Sequence, residues 1–554
     1  MTEPSTSSVR PSVPESPPRS PETLPCLAPG TGASLGRVPA TPVAEIRETV
    51  ARARAAQRIW RERTFAERRR VLQQLLDRLI EATDELCGWV VEDTGKTWEH
   101  AILGEIWPVA EKLRWTLGTG WKHLRPETVS SGLFPHKRAR IVYEPLGVIG
   151  QIVPWNYPLQ NMLGAAVPAL MAGNGVVTKP SEHVAWSSAK LGAFVDEVLT
   201  EAGAPAGLFQ LVQGAGREGA ALVGAGVDLV VFIGSPENGR RVLEKAAESL
   251  TPVVLELGGK DPLVVCDDAE LEQAAHAAMA GAFINNGQNC LAVERVLVMP
   301  AVYEAFVHRM TELAGALRHG AAPAGPGAVD VGAMVLDAQV DKVEALVQDA
   351  VAKGARRLVG GERPPGREGG RFFPPTVLAD VTPEMRIARE ETFGPVLVVM
   401  PVRDDAHAIE VANGTAFALS ATIMTTSPER ARRLAAGIRS GSVAWNDFGL
   451  TYMAMDLPFG GVDGSGFGRL NGAEGIRGMT NRRAVLEDRL PLRVPAKVFP
   501  VDEGTYTRTK ETLRAIYGRG LRTRLAGLSG LIGGAAGRRQ PAASVPGDPE
   551  GDRG

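Results

Sequence analysis

The sequence predicts an α/β protein built on a doubly wound parallel sheet, and two observations carry that prediction. Between residues 148 and 233 short apolar runs alternate with helical stretches, the pattern of parallel strands joined by crossover helices. The chain has 554 residues, 44% of them hydrophobic, which is ample for a buried core and for more than one domain. In such sheets ligands are expected at the carboxyl ends of the strands.

In chain order, residues 1–40 are rich in Pro and Ser, lack the apolar centre of a signal peptide and read as a disordered tail. Residues 43–115 read as a helical lead-in, with Val71, Leu75, Leu76 and Ile80 recurring at helical spacing. At 139–150 two β-rich runs are broken by Pro145-Leu146-Gly147, which suggests a strand, a turn and a return strand. The alternation follows: strand-like runs at 148–153, 175–178, 209–212 and 227–233, with helical stretches at 159–172, at 186–201 and from Glu218. No later stretch has the roughly 18 uninterrupted apolar residues of a membrane span, so a soluble protein is expected.

A formal net charge of −2 provides no cationic field for nucleic acid, which is excluded as an expected partner. Cys26, Cys87, Cys266 and Cys290 are scattered without a C-x-x-C pair. That spacing argues against a disulfide framework and against a zinc or other metal site, and it fits a reducing compartment, the cytoplasm.

Two glycine loops compete for a cofactor phosphate. Gly214-Ala215-Gly216-Arg217-Glu218-Gly219 matches G-x-G-x-x-G between a strand and a helix, but Phe232-Ile233-Gly234-Ser235 stands where the partner acid belongs. A tight turn explains those glycines equally well. Gly234-Ser235-Pro236-Glu237-Asn238-Gly239 also follows a strand and opens a helix, where free N–H groups favour an anion; Ser235 fits an ordinary N-cap as well. Farther on, Leu255-Glu256-Leu257-Gly258-Gly259-Lys260 and Gly287-Gln288-Asn289-Cys290 offer a carboxylate and a thiol. A thiol attacks an electrophilic carbon, and a carboxylate activates the water that releases the product. Alone, the pair suits a hydrolase as well as an oxidoreductase.

Seven segments, in one order, resemble the aldehyde dehydrogenase superfamily. They are Pro154-Trp155-Asn156-Tyr157-Pro158-Leu159, Thr178-Lys179-Pro180-Ser181-Glu182, Phe232-Ile233-Gly234-Ser235, the Glu256 and Cys290 segments, Glu390-Glu391-Thr392-Phe393-Gly394-Pro395 and Pro458-Phe459-Gly460-Gly461. The resemblance covers residues 40–490. It implies that Cys290 is the nucleophile, that its thiohemiacetal yields a hydride to nicotinamide, and that Glu256 then activates water against the thioester. It assigns Asn156 to the oxyanion, and Lys179 and Glu182 to the adenosine ribose, where a carboxylate favours NAD over NADP. It puts Glu391 and Phe393 at the nicotinamide end, Trp155, Gly234, Ser235 and Gly239 around the pyrophosphate, and the Gly214 loop at the adenine end.

The same resemblance implies an NAD-binding domain of residues 41–124 and 147–257 and a catalytic domain of 258–475. A β-hairpin extension, 125–146 with 476–490, would join a homo-oligomer, dimer or tetramer. Ile233, Asp463 and Leu470 replace the family's usual Thr, Lys and Glu; none is a catalytic position, and they bear on local packing and subunit contacts. Asn161 and Gly164, with Tyr157, Asn289, Leu291, Trp445 and Phe448, suggest a wide, partly aromatic aldehyde tunnel. No arginine in these segments awaits a carboxylate, so a semialdehyde acid is not favoured.

Beyond residue 490, Leu513, Ile516, Tyr517, Leu521, Leu525, Leu528 and Ile532 recur at near-helical spacing beside Arg514, Arg519, Arg522 and Arg524. An amphipathic helix within 491–532 fits docking on its own subunit or a neighbour, or peripheral contact with an anionic membrane. Residues 533–554 read as a disordered tail. The expected reaction is NAD-dependent oxidation of a small-molecule aldehyde to a carboxylic acid. The alternatives are a cofactor-independent thiol esterase, which has no use for Lys179, Glu182 and Glu391, and a non-catalytic protein, which has no need of Cys290, Glu256 and Asn156.

Overall fold

The computed structural model describes residues 23–322, 325–365, 370–491 and 499–536. Part of the segment expected as a tail is structured. Thr23–Leu27 and Ser34–Pro39 pair as antiparallel strands, and Leu24 and Cys26 are buried against Ala185. Alternate residues of the short strand point inward, a period that composition does not reveal. Only residues 1–22 of the expected tail remain, outside the described residues.

The lead-in is helical, through Val43–Trp60, Phe65–Glu81, Thr83–Thr94 and Trp107–Gly118. Thr64 and Glu67 form a capping box that starts the second of these. Its buried face is Val71, Leu72, Leu75 and Leu79; Val71 and Leu75 point inward as expected and Leu76 is half-buried, whereas Ile80 is 53% exposed and Leu79 takes its place in the core.

Six strands form the first sheet, in the spatial order Gly466–Phe467, Val253–Leu257, Leu229–Gly234, Val148–Val153, Gly175–Pro180 and Phe209–Leu211. All pairs are parallel except the first. The chain leaves Val148–Val153 toward one edge, through Gly175–Pro180, and later returns on its other side as Leu229–Gly234. That reversal opens a crevice at the carboxyl ends of these two strands, where ligands of doubly wound sheets bind. Trp155 and Asn156 follow one of them and Ser235 follows the other. The expected return strand is not paired with its predecessor: Lys137–Pro145 belongs to a separate sheet with Glu127–Val129 and Thr480–Asp488.

The second sheet has seven strands, in the order Arg356–Val359, Thr376–Ala379, Val396–Pro401, Val293–Val298, Asp261–Val265, Ser420–Met424 and Ser442–Trp445. Gly258-Gly259-Lys260 is the corner by which the chain passes from Val253–Leu257 of the first sheet to Asp261–Val265 of the second. Both sheets lie within one compact unit, Met1–Ser130 with Ala139–Val485.

A second unit comprises Ser131–Arg138 with Leu486–Gly554. It contains two helices rather than the single one expected, Glu503–Tyr517 and Leu521–Ala536, packed on each other. Gly518 and Gly520 flank the turn, and Gly527 lets the second helix approach the backbone of Ala515. The second helix runs to Ala536, past the predicted tail boundary, and residues 537–554 lie outside the described residues. Among the described residues no helix is long and apolar enough to cross a membrane, and no cluster of His, Cys, Asp and Glu could hold a metal ion.

Candidate active site

The approach to Cys290 is a backbone feature that few residue types tolerate. Asn285, Asn286 and Gly287 have φ of 53°, 58° and 66°, three successive left-handed residues. Asn visits that region more readily than other side-chain-bearing residues. At Gly287 a Cβ would also lie 2.2 Å from the Gly394 carbonyl oxygen. Side-chain amides hold the loop: Asn285 Nδ2 donates to the Asn156 carbonyl at 2.9 Å and to the Gln288 carbonyl at 3.0 Å. Asn286 Nδ2 donates to the Gly332 carbonyl at 2.7 Å, and Gln288 Oε1 accepts from the Val335 N–H at 2.9 Å.

Cys290 is the one cysteine of the four that is not fully buried. Its sulfur is nonetheless enclosed, and burial, followed by the adjacent Glu256 carboxylate, pushes the thiol well above its ordinary range. At rest the group is therefore a thiol that needs a base. Burial pushes the Cys87 and Cys266 thiols up to about 12 as well, consistent with inert core cysteines.

Glu256 lies near the end of Val253–Leu257, as the sequence predicts, and is only 3% exposed. Burial pushes its carboxyl up to about 8, with the Cys290 thiol opposing. Its Oε1 has no hydrogen-bond partner among the described residues. A carboxyl that titrates near neutrality and faces a thiol is suited to proton transfer.

Asn156 stands before the helix Pro158–Ala172. Its Oδ1 accepts from Asn161 Nδ2 at 3.1 Å, and its Nδ2 donates to the Gln288 carbonyl at 3.1 Å, so one of its two amide N–H groups is left for an oxyanion. A buried ion pair fixes the main chain here. Lys96 Nζ lies 2.6 Å from Glu105 Oε1 and donates to the Asn156 carbonyl at 2.7 Å, while Glu105 Oε2 accepts from the N–H groups of Leu159 and Gln160. Sequence reasoning missed Lys96, Glu105, Asn285 and Asn286. The Asn285-Asn286-Gly287 run was a readable turn signal, whereas nothing local marks Lys96 or Glu105 as partners of a residue so far along the chain.

The candidate cofactor contacts come from two strand ends and from the loop that precedes the strand Val396–Pro401. Lys179 Nζ lies 3.2 Å from Glu182 Oε2; burial opposes the Glu182 charge, but Lys179 holds its carboxyl below the ordinary range. Ser235 Oγ accepts from the Asn238 N–H at 3.4 Å and caps the helix Pro236–Ala247, so its N-cap role is real. Glu391 Oε1 accepts from the Gly259 N–H at 3.0 Å, and burial pushes that carboxyl up to about 7. Phe393 has φ of 51° and meets Trp155 edge-on, with ring centroids 5.4 Å apart. A second buried pair supports this loop: Lys260 Nζ lies 2.6 Å from Glu294, whose carboxylate accepts from the N–H groups of Thr392 and Phe393.

One cavity of about 660 Å³ gathers Trp155, Asn156, Lys179, Glu182, Gly234, Ser235, Glu256, Cys290, Glu391 and Phe393. Two predicted cofactor residues do not line it. Gly214 follows the edge strand Phe209–Leu211, and its loop is closed by Glu218, whose carboxylate accepts from the Ala215 N–H at 2.8 Å. Gly239 faces Leu257 in the packing of helix on strand. Of the tunnel residues, Tyr157, Asn161, Asn289, Leu291 and Phe448 line the cavity, and Trp445 and Gly164 do not. Trp445 is 46% exposed and donates to the Thr425 carbonyl instead. Ile233 and Leu470 are in the cavity wall, so these departures from the family pattern bear on what the cavity holds and not on packing alone; Asp463 pairs with Arg439.

The model of the aldehyde dehydrogenase family matches residues 17–485. The chain belongs to this family. As a member it is an oxidoreductase that acts on aldehydes with a nicotinamide dinucleotide. It is 38% identical to 4,4'-diapolycopene aldehyde oxidase of Methylomonas sp, over 90% of this chain and 92% of that protein. It is 39% identical to betaine aldehyde dehydrogenase of Cereibacter sphaeroides, over 85% and 95%. Its fold matches the betaine aldehyde dehydrogenase of Staphylococcus aureus in complex with NAD+, with a TM-score of 0.79 and 30% identity over 86% of this chain and 94% of that one. The aldehyde dehydrogenase fold thus accounts for both sheets and for the crevice between their strand ends.

Proposed function

We propose that this enzyme oxidises its aldehyde to a carboxylic acid with NAD, using Cys290 as nucleophile, Asn156 as oxyanion donor and Glu256 as base. The observation that carries this reading is the meeting of all three groups with the Lys179–Glu182 pair in one cavity. Glu256 takes the thiol proton, and the Cys290 sulfur attacks the carbonyl carbon. The second Asn156 N–H and the Cys290 backbone N–H hold the resulting oxyanion. Bound NAD supplies the acceptor for the hydride that leaves the thiohemiacetal. Glu256, having returned its proton to solvent, then deprotonates the water that attacks the thioester and frees Cys290.

The donor set fits a dinucleotide: a capped helix N-terminus at Ser235 for the pyrophosphate, paired Lys179 and Glu182 for ribose hydroxyls, and Glu391 with Phe393 at the other end. An aldehyde panel with NAD and NADP, followed by reduced nicotinamide, tests the reading. Ester hydrolysis without cofactor, in place of that signal, would favour the esterase alternative. Asn156→Ala should lower kcat by about 10²- to 10³-fold, as loss of one oxyanion donor does. Steady-state kinetics at saturating NAD measures it, and unchanged kcat would remove Asn156 from its role.

Glu182 supports NAD over NADP, because its carboxylate would repel a 2'-phosphate. Glu182→Gln should shift the ratio of kcat/KM values toward NADP by about tenfold, about 1.4 kcal/mol of relative binding. A ratio that does not move would assign cofactor choice elsewhere.

Four free cysteines support a cytoplasmic setting. The sheet of Glu127–Val129, Lys137–Pro145 and Thr480–Asp488 supports the reading of an oligomerisation extension for a homo-oligomer. On the C-terminal helices, exposed Tyr506, Tyr517, Leu521 and Leu525 beside Lys510, Arg519 and Arg522 support a contact surface for a neighbouring subunit or an anionic membrane. Light scattering and vesicle flotation of the purified chain separate the two.

A further inference from the structure

We infer that the aldehyde taken by this site is uncharged and carries an extended apolar tail. This rests on the aldehyde-oxidising reading above and concerns only which aldehyde is used.

The acidic and basic side chains on the cavity wall, the thiol and the Tyr157 and Tyr452 phenols apart, are Lys179, Glu182, His183, Glu256, Lys342 and Glu391. Glu256 is the proposed base, and Lys179, Glu182 and Glu391 are proposed cofactor contacts. His183 adjoins Glu182, and Lys342 acts electrostatically on Glu391. No charge remains to receive a substrate. The rest of the wall includes Tyr157, Ile284, Phe448, Tyr452, Phe459 and Leu470, all apolar or aromatic. Even the Tyr452 hydroxyl is engaged, by Gln160 Nε2, and its ring meets Phe459 edge-on with centroids 4.8 Å apart.

Aromatic walls also suit cations, and here the geometry decides. Lys96 Nζ already sits 4.2 Å from the Tyr157 ring centroid. A cationic substrate against Tyr157 would meet a resident ammonium group beneath the ring. An anionic tail fares no better: no arginine lines the cavity, and Lys96 is wholly buried and committed to Glu105 and the Asn156 carbonyl.

The apolar lining continues to the mouth. Leu103, Trp107 and Leu450 line the cavity and are nevertheless 44%, 55% and 55% exposed. Large apolar side chains clustered in water mark a binding groove more often than chance surface. Leu103 lies in the π-helical turn Ile102–Ile106, and Trp107 begins the next helix; such turns are frequent at functional sites. A tail too long for the enclosed part would keep burying apolar surface along this rim.

The test is kcat/KM with NAD for straight-chain aldehydes from propanal to dodecanal, beside betaine aldehyde and succinate semialdehyde. The expected result is a rise of about fourfold per buried methylene, with both charged aldehydes below hexanal. Trp107→Glu and Leu450→Glu, both at exposed positions, should each lower the dodecanal-to-propanal ratio by about tenfold, because a carboxylate on the rim must be desolvated by a passing tail. A flat or falling dependence on length, or preference for either charged aldehyde, overturns the inference while leaving the oxidation itself standing. NAD reduction with none of the aldehydes overturns both.

Discussion

Cys290→Ala should abolish aldehyde-dependent reduction of NAD, by about 10⁴-fold or more, while leaving dinucleotide binding measurable by fluorescence or calorimetry. The size follows from the chemistry: without sulfur there is no covalent adduct, and a nucleophile acting as one unit with its base carries most of the rate. The separation of activity from binding follows from the structure. Lys179, Glu182, Ser235 and Glu391 are held by contacts that do not pass through the Cys290 side chain. The substitution removes only a sulfur at the cavity wall, so folding should persist and near-wild-type melting is the control. Activity that survived in a variant lacking this thiol would refute covalent catalysis here, since Cys26, Cys87 and Cys266 are buried away from the cavity.

The proposed trio was legible because each member stands in a short motif that resembles the family's; Glu256 lies in a strand and Asn156 just after one, where alternating apolar runs point, whereas Cys290 lies between the turn Ile284–Gly287 and the strand Val293–Val298 and was marked by its motif alone. Glu256 follows Val253-Val254-Leu255, and the apolar character of that run forecast both its buried position and the upward push on its carboxyl. The glycine fingerprint misled for a physical reason. Gly214, Gly216 and Gly219 satisfy the pattern, but their strand lies at the sheet edge, and edge or centre is set by long-range pairing that no local spacing encodes. The same limit hid the Lys96–Glu105 and Lys260–Glu294 pairs, whose significance appears only when distant segments meet. The strand Thr23–Leu27 was missed because five residues with a period of two are a weak signal beside a Pro- and Ser-rich composition.

Glu256→Gln should separate the two halves of the reaction. Rapid mixing should still give a burst of reduced nicotinamide near one equivalent per active site, followed by turnover slowed about 10²- to 10⁴-fold for want of a base. Because Glu256 is also placed to take the Cys290 proton, the burst itself should be slower than in the wild type and should accelerate as pH rises toward that of a free thiol. Where thioester hydrolysis limits wild-type turnover, the rate should rise with pH through about 8, as burial predicts for this carboxyl, and the variant should lack that limb. Stability moves the other way. The folded carboxyl titrates near 8 and the unfolded one near 4.5, so between those values the folded state holds a proton that the unfolded state has lost. Wild-type stability attributable to Glu256 is therefore full below about 4.5 and declines as pH rises to about 8. Gln carries no such proton, so the melting temperature of the variant relative to wild type should climb across that window. A constant difference between the two melting curves would show that burial does not hold the Glu256 carboxyl protonated; the carboxylate would then stand ready to take the thiol proton at neutral pH, and the rise in rate through about 8 should be absent from the wild type as well.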